Sequence, residues 1–183
     1  HTTAAATLSE LENLFKNQGD EIAALIMEPL VQAAGGILVH PPGFLRAVRE
    51  LTQKFNILLI LDEIAVGFGR TGTMFACEQE DVSPDILCLG KGLTAGYLPM
   101  AATITTAAIW NQFLGSHKDG RAFYHGHTLG GNPLAAAVAL ESLALFEEEQ
   151  VLQKLPERIL QLQDHVTRIP NLPMLETPVN AAS

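Results

Sequence analysis

Ile57-Leu58-Leu59-Ile60-Leu61 is aliphatic without interruption, and the run stops at Asp62-Glu63. A strand with one face in water alternates apolar and polar residues, so an unbroken run predicts a strand covered on both faces. Two further short apolar runs have the same form: Ile22–Met27 closes at Glu28-Pro29, and Ile86–Leu89 closes at Gly90-Lys91. Helical spacing marks the stretches between and after them. Leu8–Gln18 sets Leu8, Leu11, Leu14 and Phe15 on one face, with Ser9 as its cap. Pro41–Asn56 does the same with Leu45, Val48, Leu51 and Phe55. Pro133–Glu149 has proline in its first turn, where no backbone N–H is needed, and an Ala/Leu stripe behind it. Val151–Arg168 reads as a helical stretch interrupted near Pro156, and Met100–Thr106, rich in Ala, Thr and Ile, as a further strand. Apolar runs alternating with helices predict the α/β class, a mostly parallel sheet flanked by helices. Ligands of such sheets gather at the carboxyl ends of the strands. Here three runs end in Glu28, Asp62 and Lys91.

The 183 residues suit one domain with a real core or slightly more, and 48% hydrophobic against 17% charged content excludes a disordered chain. The net charge of −9, without clusters of Lys or Arg, argues against nucleic acid or an anionic membrane as main partners. No apolar run reaches the length of a bilayer span, and no signal peptide is recognisable. Cys77 and Cys88 are isolated thiols without metal-ligand spacing, which suits a reducing, cytoplasmic setting. His1 in place of Met, and a tail Asn171–Ser183 of Pro, Asn, Ala and Ser, read as cut edges of a longer chain.

A carboxylate and a lone lysine at neighbouring strand ends suggest a covalently held aldehyde cofactor. Pyridoxal 5'-phosphate needs an amine to bond its aldehyde and an anion to keep its ring nitrogen protonated, because the protonated ring accepts electrons when the substrate's α-proton leaves. Lys91 would supply the amine and Asp62 the anion. Gly90 and Gly92 flank Lys91 with no other charge near, and apolar surroundings would lower its affinity for a proton. A surface lysine in the loop after a strand is the plain alternative.

Four motifs in register bear on this choice: Glu28-Pro-Leu-Val-Gln32, Leu61-Asp-Glu-Ile-Ala-Val-Gly-Phe-Gly-Arg-Thr-Gly72, Leu89-Gly-Lys-Gly-Leu-Thr94 and Tyr124-His-Gly-His-Thr-Leu-Gly-Gly-Asn-Pro133. Together, over Leu25–Phe146, the chain resembles the class III aminotransferases. Gly96-Tyr-Leu-Pro-Met-Ala-Ala-Thr103 and Asp62-Glu-Ile-Ala65 are most similar to the branch of the family that serves biotin synthesis. Ornithine and 4-aminobutyrate relatives usually carry Gln where this chain has Ala65.

The resemblance implies fold type I, with residues 1–150 a partial cofactor-binding large domain and 151–183 a connecting helix and the truncated start of a small domain. It implies amino transfer from S-adenosylmethionine to 8-amino-7-oxononanoate. Position by position, it implies that Lys91 bonds the cofactor and shuttles the proton at the α-carbon, that Asp62 pairs with the ring nitrogen, and that Ile64 packs on the ring face. Ile64 would lie on the side of Asp62 because it comes two residues later in an extended chain. Thr128 would bind the cofactor phosphate, typically across the interface of a homodimer, with Gly126 beside it near the substrate. Glu28 would join the polar shell without an assigned partner, and Val66 stands where the family usually has Thr. The phosphate loop and a substrate-carboxylate arginine, carried by family members outside this region, are not found here. The remaining readings are another ω-amino acid:oxo-acid transaminase of the class, and a folded piece without turnover.

Other features are read as structural. Gly67-Phe-Gly-Arg-Thr-Gly72 matches the dinucleotide pattern G-x-G-x-x-G, yet Asp62–Val66 separate it from its strand, whereas that fingerprint needs the turn to follow at once and open a helix. His125 and His127, with His40 or His117, lack a third ligand at metal spacing, so no metal is expected. Asp81 and Asp85 read as turn residues, Cys88, Trp110 and Phe113 as core, and Glu147–Glu149 as a solvated helix end.

Overall fold

A computed structural model describes residues 3–169. The part of the expected 151–183 segment beyond residue 169, the Asn171–Ser183 tail included, lies outside the described residues. Strands β1 (Ala24–Met27), β4 (Leu58–Asp62), β5 (Ile86–Leu89) and β6 (Ala102–Thr105) form one sheet in the order β1-β4-β5-β6. The first three are parallel and β6 runs antiparallel to β5. The fold is thus the expected mostly parallel sheet with flanking helices, namely α1 (Ala4–Gln18), α2 (Phe44–Lys54), α3 (Ala107–Trp110), α4 (Pro133–Glu148) and α5 (Val151–Arg168). Among the described residues no helix is long and apolar enough to cross a membrane.

The unbroken aliphatic runs predict two covered faces, but within this chain the strands alternate in burial. Leu59 and Leu61 are fully buried against Leu45 and Val48 of α2, together with Cys77 and Val82. Leu58 on the opposite face is 37% exposed, and Ile26 is 63% exposed. Strand side chains alternate sides, so Leu58, Ile60 and Asp62 share the open face and Leu59 and Leu61 the covered one.

Several boundaries move for identifiable reasons. Helix α1 begins at Ala4, capped by Thr3, whose hydroxyl accepts the Ala6 N–H at 3.3 Å; Ser9 lies inside it. Helix α2 begins at Phe44, three residues after Pro41, because Glu80 caps it from elsewhere in the chain: Oε1 accepts the Gly43 N–H at 2.8 Å and Oε2 the Arg46 N–H at 2.9 Å. Helix α5 runs through Pro156 unbroken. A short hairpin, β2 (Val31–Gln32) with β3 (Leu38–Val39), was not anticipated; Gly36 supplies its left-handed turn at φ +107°.

Asp85 is no simple turn residue. Its Oδ2 accepts from Arg49 Nη1 at 2.6 Å and from the Leu59 N–H at 2.8 Å, while its own N–H donates to the Leu59 carbonyl at 2.9 Å. One carboxylate therefore ties α2, β4 and the start of β5 together. Burial pushes the Asp85 carboxyl up, but Arg49 and the Leu59 amide together outweigh it, leaving the group below its usual value. Trp110 and Phe113 are not core either: they are 60% and 39% exposed, Phe113 packing edge-on against Phe123 at 5.2 Å.

Candidate active site

Because β1, β4 and β5 are parallel neighbours, Glu28, Asp62 and Lys91 emerge at the same end of the sheet. There they line one cleft of about 490 Å³ with Ile26, Gln32, His40, Ile64 and Ala65. Three of the proposed cofactor contacts, Asp62, Ile64 and Lys91, thus come together, and Glu28 joins them.

Asp62 is the last residue of β4, half-buried, and in register with Cys88. Its Oδ1 accepts the Ile64 N–H at 3.0 Å, which fixes the carboxylate's rotation. Among the described residues Oδ2 accepts no hydrogen bond. Burial, then the nearby Asp62 charge, pushes the Cys88 thiol up.

Ile64 reaches the cleft by a different route from the one its spacing predicts. The chain stops being extended at Glu63 and enters a run of turns, so Ile64 lines the cleft because the backbone folds over. The Glu63 carbonyl accepts the Gly67 N–H at 2.8 Å, and a Cβ at Gly67 would meet that same oxygen at 2.8 Å. Glycine is required there by contact. The dinucleotide-like glycines continue these turns, with Phe68 N–H on the Met74 carbonyl at 2.7 Å, and open no helix.

Lys91 leaves β5 through Gly90, whose missing Cβ admits Ile64; a Cβ there would stand 3.3 Å from Ile64 Cγ2. Lys91 itself has φ +40°, in the left-handed region that suits glycine. Gly92 admits Phe68 in turn, a Cβ there standing 2.8 Å from Phe68 Cβ. The apolar surroundings expected for Lys91 are not provided by this chain: the side chain is exposed.

Gly126 and Thr128 do not line the cleft. Every residue from Asn111 to Leu134 is exposed, these two included. His127 Nδ1 accepts the Leu129 N–H at 3.2 Å, a local loop contact.

Sequence patterns missed two contributors. His40, weighed there only as a metal ligand, enters the cleft wall from the end of the β2–β3 hairpin with its N–H on the Leu30 carbonyl at 2.8 Å, its ring stacked on Phe44 at 5.0 Å. Gly35-Gly36 between two apolar pairs was the available hairpin signal. Glu63 is fully buried, its Oε2 accepting the Ala76 N–H at 2.9 Å and its Oε1 the Cys77 N–H at 2.8 Å. Burial raises the Glu63 carboxyl, and burial with Glu63 beside it pushes the Cys77 thiol up to about 12. Cys77 is therefore inert at neutral pH.

The family model described as aminotransferase class-III matches residues 1–176. Adenosylmethionine-8-amino-7-oxononanoate aminotransferase of Geobacter sulfurreducens is 54% identical over 157 residues, covering 86% of this chain and 35% of that protein. The protein of the same name from Aquifex aeolicus is 56% identical over 162 residues, covering 88% and 36%. The chain thus spans about a third of the length of the curated relatives it matches. Among solved structures, the crystal structure of the same-named protein of Methanocaldococcus jannaschii superposes with a TM-score of 0.85 at 40% identity, covering 90% of this chain and 39% of that one. An (S)-enantioselective omega-transaminase from Thermomicrobium roseum gives 0.83 at 38% identity, covering 93% and 37%.

Proposed function

The chain belongs to the class-III aminotransferase family, and from that premise we propose that the whole protein transfers an amino group from S-adenosylmethionine to 8-amino-7-oxononanoate, giving 7,8-diaminononanoate for biotin synthesis. The relatives carrying that name at 43–56% identity support the choice of substrates. One observation carries the chemistry: a carboxylate and a primary amine from adjacent strands, Asp62 and Lys91, border one cleft with an aliphatic side chain between them in sequence.

That donor set fits pyridoxal 5'-phosphate. When bound, the cofactor supplies a protonated pyridine ring that withdraws electrons from the substrate's α-carbon. Asp62 Oδ2 would pair with the ring N–H while the Ile64 amide holds Oδ1, so the carboxylate is oriented before anything binds. Ile64, packed close to Gly90, would press on the ring face and keep water from it. Lys91 Nζ would hold the cofactor through its aldehyde group and, once freed by an incoming amino donor, would move the proton between the substrate's α-carbon and the cofactor in each half of the transfer. Glu28, Gln32 and His40 form the polar wall that a substrate would meet.

Thr128 and Gly126 would serve the cofactor and substrate of a second subunit, a reading supported by their exposure and their absence from the cleft wall. The working protein is then a homodimer acting in the cytoplasm, and residues 151–168 lead toward a small domain. This segment alone would not turn over substrate.

The test is reductive trapping. The whole protein is incubated with pyridoxal 5'-phosphate, reduced with borohydride and mapped by mass spectrometry. Label on Lys91 is expected, and label on no lysine overturns the site. Product is then assayed with S-adenosylmethionine or an ω-amino acid as donor; turnover with the second alone overturns the substrate reading and leaves the family.

A further inference from the structure

Asp62 and Glu63 are adjacent carboxylates facing opposite ways. Asp62 shares the open face of β4 with Leu58 and Ile60 and lines the cleft. Glu63 follows the parity of Leu59 and Leu61 and is fully buried. The Glu63 backbone N–H donates to the Cys88 carbonyl at 3.0 Å, prolonging the β4–β5 ladder one residue past Asp62. Its backbone carbonyl accepts the Gly67 N–H, starting the turn that carries Ile64. Its carboxylate grips the amides of Ala76 and Cys77, thirteen and fourteen residues on.

A buried carboxylate with two N–H donors and, among the described residues, no cation partner is not placed there to form an ion pair. It closes the loop of residues 64–75 at its base through Ala76 and Cys77, and its own backbone carries that closure to the adjacent Asp62. We infer that Glu63 is a positioning residue for Asp62, holding the β4 terminus from behind so that the Asp62 carboxylate keeps its angle in the cleft. The inference rests on the proposed role of Asp62 at the ring nitrogen. Glu63 lines no part of the cleft, and its carboxylate acts through the backbone that bears Asp62.

Removing the anchor shifts the backbone that bears Asp62, and displacements on the order of 1 Å in such sites reduce rates by up to about a hundredfold. A residue acting only through Asp62 has a recognisable signature, because its loss costs nothing further once Asp62 no longer functions.

The experiment uses the whole protein with Glu63→Gln, Asp62→Asn, the double variant, and Asp85→Asn as a remote, partly buried clamp that also grips a backbone amide. Amide hydrogen exchange of the cofactor-free protein is expected to quicken at residues 62–67 in Glu63→Gln and to stay at the wild-type rate there in Asp85→Asn. In the cofactor-loaded protein, Glu63→Gln lowers kcat by roughly tenfold or more with KM little changed, and moves the pH midpoint of the cofactor's visible absorbance. The double variant matches Asp62→Asn within about twofold. Should Glu63→Gln not fold, Glu63→Asp, with the same charge and a shorter reach, takes its place in the same cycle. Unchanged exchange at 62–67, or losses that multiply in the double variant, overturn the inference. A wild type that neither binds the cofactor nor turns over overturns the proposed function instead, and the exchange arm still decides whether Glu63 anchors the turn.

Discussion

Two stretches of this chain carry candidate site residues, and they are built in opposite ways. From Leu58 to Lys91, the candidates Asp62 and Ile64 are held by something deeper, and Lys91 alone of the three is exposed. Asp62 is steered by an amide and backed by Glu63, Ile64 rests against Gly90, and the strand beneath is sealed by Leu45, Val48 and the Asp85–Arg49 pair. From Asn111 to Leu134, no residue is buried or half-buried, and the hydrogen bonds of Gly126–Thr128 are local. The first stretch is pre-organised by the interior of its own chain, whereas the second contributes almost nothing to that interior. Substitutions should therefore couple function to stability in the first and separate them in the second.

The largest effect expected is at Lys91. Lys91→Ala should abolish reductive labelling and lower turnover by about 10²–10⁴-fold or more, read by mass spectrometry and a product assay. Retained labelling elsewhere would break the comparison at its centre. Next comes the support of the strand: Leu59→Ala, at a fully buried position, should cost about 2–5 kcal/mol in a denaturant titration and lower cofactor affinity with it.

A smaller loss, about 2–3 kcal/mol, is expected for Asp85→Ala, which leaves the largely buried Arg49 guanidinium unpaired. This residue also gives a pH signature. Its carboxyl is held below the ordinary 3.8, so folding is linked to its ionised form. The stabilisation is complete above the unfolded value and is lost as pH falls through the depressed one. Melting temperature measured below pH 4 should thus fall less steeply in Asp85→Asn than in the wild type. Least affected in stability is Thr128→Ala, within about 0.5 kcal/mol by thermal melt. Its cofactor dissociation constant should nonetheless rise by roughly tenfold in the whole protein, the cost of one hydrogen bond to a charged group. A large drop in melting temperature there would show the loop to be part of the core.

What could be read from the sequence divides along the same line. The strands and the convergence of Glu28, Asp62 and Lys91 were legible because a parallel sheet places strand ends side by side, and aliphatic runs mark the strands locally. The clamps were not. Glu63, Glu80 and Asp85 each reach backbone more than ten residues away, and no local pattern distinguishes an acid that grips a distant amide from one that faces water. Asp85 looked like a turn residue, and α2 looked as if it began at Pro41, because their partners come from elsewhere in the chain. Ile64 was expected beside Asp62 by strand parity, whereas it reaches the cleft through a turn in which Gly67 meets the Glu63 carbonyl. Trp110 and Phe113 were assigned to the core on side-chain type, which says how much area a residue could bury and nothing about whether a surface lies opposite.

The backbone angle of Lys91, φ +40°, has an energetic corollary. A side chain in that conformation is disfavoured by roughly 1 kcal/mol relative to glycine. Lys91→Gly should then melt higher than Lys91→Ala, and even a wholly inactive protein can relax at this point. Under the proposed function the lysine stands at this point for its amine, against the backbone preference of the fold.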